Sequence, residues 1–181
     1  KHLSLGRFAW MSGEGVFYAI IMRLLAGYAV AYLLAWVSLQ GHGMFALMKA
    51  APALSSSVAA VGDSAQLGAR VSGAIMSLGA GFYEEMVFRV LIFGAGGALI
   101  LFLFNITTKF FRFWFKIGWA VAAACVFSGW HYVGDMGEVF ELSTFAFRTV
   151  CGLVFTAIYH LRGFAPAVWT HALYDLWVLA F

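Results

Sequence analysis

Residues 16–39 read VFYAIIMRLLAGYAVAYLLAWVSL, an apolar run interrupted by a charge at Arg23. About 20 such residues in a helix are enough to cross the hydrocarbon core of a bilayer. The rest of the chain has the same character, since 64% of its 181 residues are hydrophobic and 10% are charged. A soluble domain usually carries about 25% charged residues. The sequence therefore predicts an all-α, polytopic transmembrane helix bundle with about five to six membrane-embedded helices.

Further apolar runs cover residues 71–104, 117–133, 142–160 and 163–181. As one helix, residues 71–104 would be about 50 Å long, whereas the hydrocarbon core is about 30 Å thick. We therefore expect one long helix, tilted or broken, whose end lies along the membrane interface. Residues 40–70 are more polar and predict a loop with an interfacial helix. The expected organisation is one integral membrane domain, with an N-terminal span and loop region in residues 1–70 and a helix core in residues 71–181.

The distribution of loop charges predicts the orientation in the membrane. One side is expected to carry most of the cations, namely Lys1, Arg7, Lys109, Arg112, Lys116 and Arg162. The other side is expected to carry Lys49 and Arg70 with Asp63, Asp135, Glu138 and Glu141. Because cytoplasmic loops carry an excess of Lys and Arg, the first side should be cytoplasmic. The net charge of +3 is scattered and predicts no nucleic-acid partner.

The segment GFYEEMVFRV, residues 81–90, places three ionisable groups in an apolar run. Such groups are costly inside a membrane and are usually paired or functional. On a helix, Glu85 and Arg89 are four residues apart and can pair along one face. Glu84 is rotated by about 100° from Glu85 and can point elsewhere. A structural ion pair and a functional carboxylate are both compatible with this pattern.

Two further apolar segments contain polar residues. FSGWHY contains Phe127 and His131, and HALYDLW places His171 and Asp175 four residues apart on one helical face. Taken singly, these groups fit hydrogen bonds between helices. Together with Glu84 they provide a base for water and polar groups for a developing oxyanion.

The order E-E-x-x-x-R, F-x-x-x-H and H-x-x-x-N/D resembles the motif set of the CPBP family. This family includes the CAAX prenyl-protein endopeptidases and the bacterial Abi-type intramembrane proteases. The resemblance extends over about residues 71–181. It implies a glutamate-dependent intramembrane endopeptidase that hydrolyses a membrane-anchored protein or peptide. A prenylated tail, a bacteriocin leader and a C-terminal sorting helix remain possible substrates.

The resemblance also implies roles for individual residues. Glu84 and His131 would bind and activate the hydrolytic water. Glu85 would pair with Arg89 and fix the helix, and Phe127 would be structural. The resemblance thus implies a catalytic role for Glu84 and His131 and a supporting role for Glu85, Arg89 and Phe127.

His171 and Asp175 would stabilise the oxyanion or orient the substrate carbonyl. Many family members have Asn in place of Asp175, and an amide can donate a hydrogen bond that an ionised carboxylate cannot. Either Asp175 is protonated, or it orients His171 while the imidazole donates. We favour the second arrangement, because it requires no unusual protonation state.

We expect no cofactor. Glu84, His131 and His171 would also be acceptable zinc ligands. The sequence contains no H-E-x-x-H motif, however, and each of these ligands would come from a different helix. A metal-free water mechanism is therefore the first expectation, and zinc is the alternative.

Two other functions fit parts of the sequence. A membrane cysteine transpeptidase of the exosortase type would use Cys151, Arg148 and either His131 or His160, but this arrangement leaves Glu84 unexplained. A non-catalytic peptide-binding or immunity protein would need the same cavity as a protease. In the expected topology, the site lies in the non-cytoplasmic half of the membrane. The oligomeric state is left open.

Overall fold

The computed structural model describes residues 4–37, 39, 63–135 and 137–180, and all regular secondary structure in these residues is helical. The elements are α1 (Leu5–Val37), α2 (Asp63–Glu85), a π-helix (Met86–Gly96), α3 (Gly97–Leu103), α4 (Lys109–Trp130), α5 (Leu142–Arg162) and α6 (Phe164–Ala180). The predicted all-α fold is confirmed. The loop expected in residues 40–70 lies largely outside the described residues, although residues 63–70 already belong to α2.

Four helical segments of the described chain are long and apolar enough to cross a membrane. They are Leu5–Val37, Arg70–Leu103, Lys109–Trp130 and Leu142–Arg162. Helix α6 has 17 residues, slightly fewer than the usual 20 or so for a complete crossing, and packs against α1, α2 and α5. The chain is thus an integral membrane protein with several spans, as predicted.

The longest predicted run continues through three helical elements without a break. Helix α2 passes into the π-helix Met86–Gly96, and α-helical geometry resumes at Gly97. Trp119 of α4 donates a hydrogen bond from Nε1 to the carbonyl of Ile92 at 3.0 Å. A Cβ atom on Gly97 would lie 2.9 Å from the same indole, so glycine permits this close packing. This run thus stays helical, and its departure from α-helical geometry is the π-helix between Met86 and Gly96.

Two further glycines each allow a pair of helices to approach closely. A Cβ atom on Gly81 would lie 2.9 Å from the backbone nitrogen of Ala172, which brings α2 against α6. A Cβ atom on Gly152 of α5 would lie 3.1 Å from Cβ of Ala124 in α4. Small residues at helix contacts are typical of membrane bundles, because they allow the backbones to come together.

The two ends of the bundle differ in charge. Arg162, at the end of α5, contacts Glu14 near the start of α1 with a distance of 2.6 Å between Nε and Oε1. The start of α6 lies at this end too, since Trp169 donates a hydrogen bond to Ser12 Oγ at 3.2 Å. We call this end the cationic end; its described cations are Arg7, Lys109, Arg112, Lys116 and Arg162. The opposite end contains the segment between α4 and α5.

The interior and the outer surface of the bundle are both largely apolar. Met22, Phe88, Phe155 and Ile158 are among the residues of the buried core. Many large apolar side chains point outward, including Phe102, which is 79% exposed. An outer surface of this kind suits contact with lipid tails.

Candidate active site

The buried carboxylate of Glu85 lies at the centre of the site. Its Oε2 is 3.1 Å from Nε of Arg89, and both side chains are almost completely buried. Arg89 also donates from Nη2 to the carbonyl of Gly152 at 3.3 Å, and its guanidinium lies over the ring of Phe127 at 4.4 Å. The pair predicted from the i, i+4 spacing is therefore present, and it ties the end of α2 to α4 and α5.

The second oxygen of Glu85 holds His171 of α6. Nδ1 of His171 lies 2.8 Å from Oε1 of Glu85. Because an ionised carboxylate only accepts hydrogen bonds, Nδ1 is the donor. The imidazole also stacks on the ring of Phe155 with 4.4 Å between centroids and meets Phe127 edge-on at 5.9 Å. These contacts fix the ring, so that Nε2 faces away from Glu85.

Glu84 lies between two imidazoles. Its Oε2 is 3.8 Å from Nε2 of His171 and 4.0 Å from Nε2 of His131. The same oxygen is buried and has no hydrogen-bond partner among the described residues. Both distances are too long for a direct hydrogen bond, but separations of this size suit bridging by one water molecule.

The local geometry at the end of α4 determines the direction in which His131 points. His131 is the C-cap residue of this helix, and its Nδ1 lies 3.0 Å from the carbonyl oxygen of Phe127. A carbonyl only accepts, so Nδ1 donates here as well. In the neutral imidazole Nε2 is then an acceptor, and this is the nitrogen that faces Glu84.

Asp175 completes the group of polar residues. Its Oδ2 lies 3.4 Å from Nε2 of His171, one helical turn away on α6. Its side chain is 22% exposed, compared with 6% for His171, so Asp175 lies closer to the opening. The imidazole of His171 thus has a carboxylate near each of its nitrogens.

These side chains border a cavity of about 680 Å³. Glu84, His131, His171 and Asp175 line it together with apolar side chains from α1, α2, α5 and α6. A concave and mostly apolar space with a few convergent polar groups is the usual form of a binding site. The volume is in the range of pockets that hold a ligand or a short piece of chain.

The structure brings together all the residues that the three motifs singled out. Cys151 and Arg148 line the same cavity. His160 does not, because it borders a groove at the cationic end with Lys116 and Arg112. The version of the cysteine site that uses His160 is therefore not assembled. Sequence reasoning missed Phe155, whose stacking on His171 has no signal in the spacing of residues on α5.

Metal ligation is not apparent from the geometry of the described residues. Among them, no group of three or more His, Cys, Asp or Glu side chains is arranged to hold a metal ion. The expectation of a metal-free mechanism stays a prediction, and so does the zinc alternative formed by Glu84, His131 and His171.

A comparison with known protein families gave a match over more than half of the chain. A family model described as "Type II CAAX prenyl endopeptidase Rce1-like" matches residues 66–177. The chain belongs to this family. The match includes all three motifs and confirms the CPBP resemblance. Neither the curated proteins nor the solved structures gave a match to the chain.

Membership of the Rce1-like family supports an intramembrane endopeptidase activity in general terms. The chain is thus a membrane-embedded hydrolase that acts on a protein substrate. The division into residues 1–70 and 71–181 stays a prediction, although α1 packs against both α5 and α6.

Proposed function

We propose that this Rce1-like protein hydrolyses a peptide bond of a membrane-anchored protein or peptide with water activated by Glu84 and His131. The supporting observation is the buried, unpartnered Oε2 of Glu84, which lies 4.0 Å from Nε2 of His131. Both atoms are hydrogen-bond acceptors when Glu84 is ionised and His131 is neutral. A water between them donates one hydrogen to each, and its lone pairs remain available to attack a carbonyl carbon.

The reaction needs no covalent enzyme intermediate. Glu84 takes a proton from the water as the oxygen bonds to the carbonyl carbon, and the carbonyl oxygen becomes an oxyanion. When the carbon–nitrogen bond breaks, Glu84 returns that proton to the departing nitrogen. The products are a new carboxyl group and a new amino group, and the carboxylate of Glu84 is regenerated.

His171 supplies the hydrogen bond to the oxyanion. Nδ1 donates to Glu85 at 2.8 Å, so Nε2 can donate as well when the ring is an imidazolium. Before the substrate binds, Oδ2 of Asp175 lies 3.4 Å from Nε2 and pairs with the charged imidazolium. A preorganised donor of this kind stabilises the transition state in a site with little water. Asp175 therefore acts by orienting His171 and can remain ionised.

Glu85 and the two phenylalanines described below hold the catalytic side chains in position. Glu85 joins Arg89 to His171 through its two oxygens. Phe127 and Phe155 surround the imidazole and the guanidinium. No metal or other cofactor takes part in the proposed steps.

The membrane topology suggests the class of substrate. By the positive-inside rule the cationic end faces the cytoplasm, and His131 at the end of α4 then lies toward the other face. A site there suits the processing of exported proteins at a C-terminal anchor or sorting signal. The proposed location is the non-cytoplasmic half of a prokaryotic cell membrane.

The central experiment compares the parent protein with Glu84→Gln and with Glu141→Gln as a matched control. Glu141 is an exposed carboxylate that precedes α5. Each purified protein is incubated with a solubilised membrane fraction in ¹⁸O-labelled water, and new peptide C-termini are identified by mass spectrometry. We expect labelled C-termini with the parent and the control and none with Glu84→Gln. Equal labelling by all three proteins would rule out Glu84 as the base.

A further inference from the structure

A second charged feature of the cavity is the guanidinium of Arg148 on α5. Among the described residues that line the cavity, Arg148 is the one with a guanidinium or ammonium group. Glu84 and Asp175 line the same space and carry the opposite charge in their ionised forms. Arg89 belongs to a different environment, because its guanidinium is buried beneath the cavity with Glu85. The proposed hydrolysis assigns no role to Arg148.

Tyr132 contacts the guanidinium of Arg148 through both its hydroxyl and its ring. Nη1 lies 3.5 Å from the hydroxyl of Tyr132, and the guanidinium carbon lies 5.7 Å from the centre of the Tyr132 ring. The hydroxyl of Tyr132 in turn lies 2.7 Å from Oγ1 of Thr144. The position of the guanidinium is therefore set by Tyr132, in the segment that follows α4, and Tyr132 is itself held by Thr144 at the start of α5.

The carboxylate that neutralises Arg148 is more exposed than the guanidinium. Nη2 donates to Oε1 of Glu138 at 2.7 Å, and the Glu138 side chain is 54% exposed, compared with 23% for Arg148. An ion pair with such an exposed partner contributes little to stability. Another carboxylate can therefore replace Glu138 at small cost. A guanidinium has five donors, arranged to fit two carboxylate oxygens at once.

We propose that Arg148 binds a carboxylate of the peptide substrate, and that Glu138 occupies this position in the free protein. The assignment rests on the proposed function for the identity of the ligand, a peptide. It makes Arg148 a specificity-determining residue, which selects peptides with a negative charge near the cleaved bond. The charge comes either from the C-terminus of the chain or from an acidic side chain.

The position of Arg148 on α5 separates the proposed carboxylate site from the catalytic residues. Arg148 precedes Phe155 by seven residues, which corresponds to about 10 Å along a helix axis. Phe155 marks the catalytic end, because its ring stacks on that of His171. A carboxylate bound at Arg148 is thus kept away from Glu84, which would repel it. A short length of extended chain joins the two positions.

Binding of defined probes tests the proposal without the need for turnover. The probes are N-terminally labelled peptides of Ala, Val and Leu in three forms: a free C-terminal acid, a C-terminal amide, and an amide whose last residue is Glu. We expect the parent protein to bind at least one acidic form roughly tenfold more tightly than the plain amide, as a charge-assisted hydrogen bond provides. Whether the free acid or the Glu peptide is preferred identifies the source of the carboxylate.

Three variants make the test specific. In Arg148→Gln the preference for the acidic form should disappear, and Arg148→Lys should retain part of it. In Glu138→Gln the competing carboxylate is removed, so the acidic form alone should bind more tightly. The backbone hydrogen bond from Glu138 to His131, 3.0 Å long, does not depend on the side chain of Glu138.

The outcomes separate this proposal from the hydrolysis proposed above. Equal binding of all three probes by the parent would overturn it, as would a preference that survives in Arg148→Gln. If Arg148→Gln does not fold, an unchanged affinity of Glu138→Gln for the acidic form overturns it equally well. If the parent cleaves the probe, the comparison is repeated in Glu84→Gln. Preferential binding of an acidic form supports the carboxylate site whether or not the probe is cleaved, because the proposed hydrolysis concerns membrane-anchored substrates.

Discussion

Glu85 and His171 are joined by a hydrogen bond of 2.8 Å between two helices that are far apart in sequence. Because Glu85 also pairs with Arg89 at 3.1 Å, one carboxylate holds both an imidazole and a guanidinium. Glu84, its neighbour in sequence, has a buried oxygen without a direct partner. Two adjacent glutamates therefore occupy different environments: Glu85 is completely buried between Arg89 and His171, and Glu84 lines the cavity.

Replacing Glu85 should lower stability more than any other change of a single glutamate. Glu85→Gln leaves the buried guanidinium of Arg89 without a counter-charge, and breaking a buried ion pair in this way costs about 3–5 kcal/mol. We expect a large fall in the melting temperature of the detergent-solubilised protein and a reduced yield. The exposed Glu141→Gln should melt like the parent. A Glu85→Gln protein with the parent's melting temperature would show that the pair is not structural.

The contact between α2 and α6 should be intolerant of one added methyl group. A Cβ atom on Gly81 would lie 2.9 Å from the backbone of Ala172, and backbone atoms cannot move aside as a flexible side chain can. Gly81→Ala should therefore separate the helices, lower stability by about 1–3 kcal/mol and reduce cleavage. The control is Gly79→Ala on the same helix, where a Cβ atom would meet nothing within 4 Å. Similar melting temperatures and activities of the two variants would contradict the expected close contact.

Removal of divalent metals should leave the activity unchanged. In the proposed mechanism Glu84 and His131 activate water directly, so dialysis against EDTA or treatment with phenanthroline should not reduce cleavage of a membrane substrate. Metal content is measured in the same samples. A loss of activity that zinc restores would favour the alternative in which Glu84, His131 and His171 are zinc ligands.

Cys151 should be dispensable for cleavage. It is buried at the cavity wall, and Gly152 next to it accepts the hydrogen bonds of Arg89 and Thr156. In Cys151→Ala those backbone contacts remain, so we expect activity close to that of the parent and no inhibition by thiol reagents. Loss of activity with an unchanged melting temperature would instead support a nucleophilic cysteine.

The orientation in the membrane can be tested with single cysteines in a background that lacks Cys125 and Cys151. Thr107 lies between α3 and α4 at the cationic end, and Val139 lies between α4 and α5 at the opposite end. An impermeant thiol reagent added to intact cells should label Val139→Cys and not Thr107→Cys. Labelling after cell lysis controls for accessibility. The reverse pattern would place the site toward the cytoplasm.

The spacing of residues within single helices was sufficient to predict two of the contacts in the site. The pairs Glu85–Arg89 and His171–Asp175 are both four residues apart, and both are in contact in the structure. The hydrogen bond from His171 to Glu85 was not predictable in this way. It depends on the close packing of α2 on α6, a tertiary contact that no spacing within one helix specifies.

The helix boundaries show a second limit of the sequence. The first span was expected over residues 16–39, but α1 begins at Leu5. Polar residues such as Ser12 and Glu14 make this early part look unlike a span. The structure gives them partners from distant helices, since Trp169 donates to Ser12 and Arg162 pairs with Glu14. In the same way, an apolar run such as residues 71–104 does not reveal where α-helical geometry changes to π.

The π-helix that follows the two glutamates also constrains how this chain can change in length. A π-helix places more residues in each turn than an α-helix does, so the loss of one residue between Met86 and Gly96 can be absorbed by a return to α-helical geometry. That return would rotate the part of the helix on one side of the deletion relative to the part on the other side. Depending on where the residue is lost, either Arg89 would turn away from Glu85 or Gly97 would turn away from Trp119. Insertions and deletions should therefore be tolerated far better in residues 105–108 than in this segment, even though neither segment contains a reacting atom.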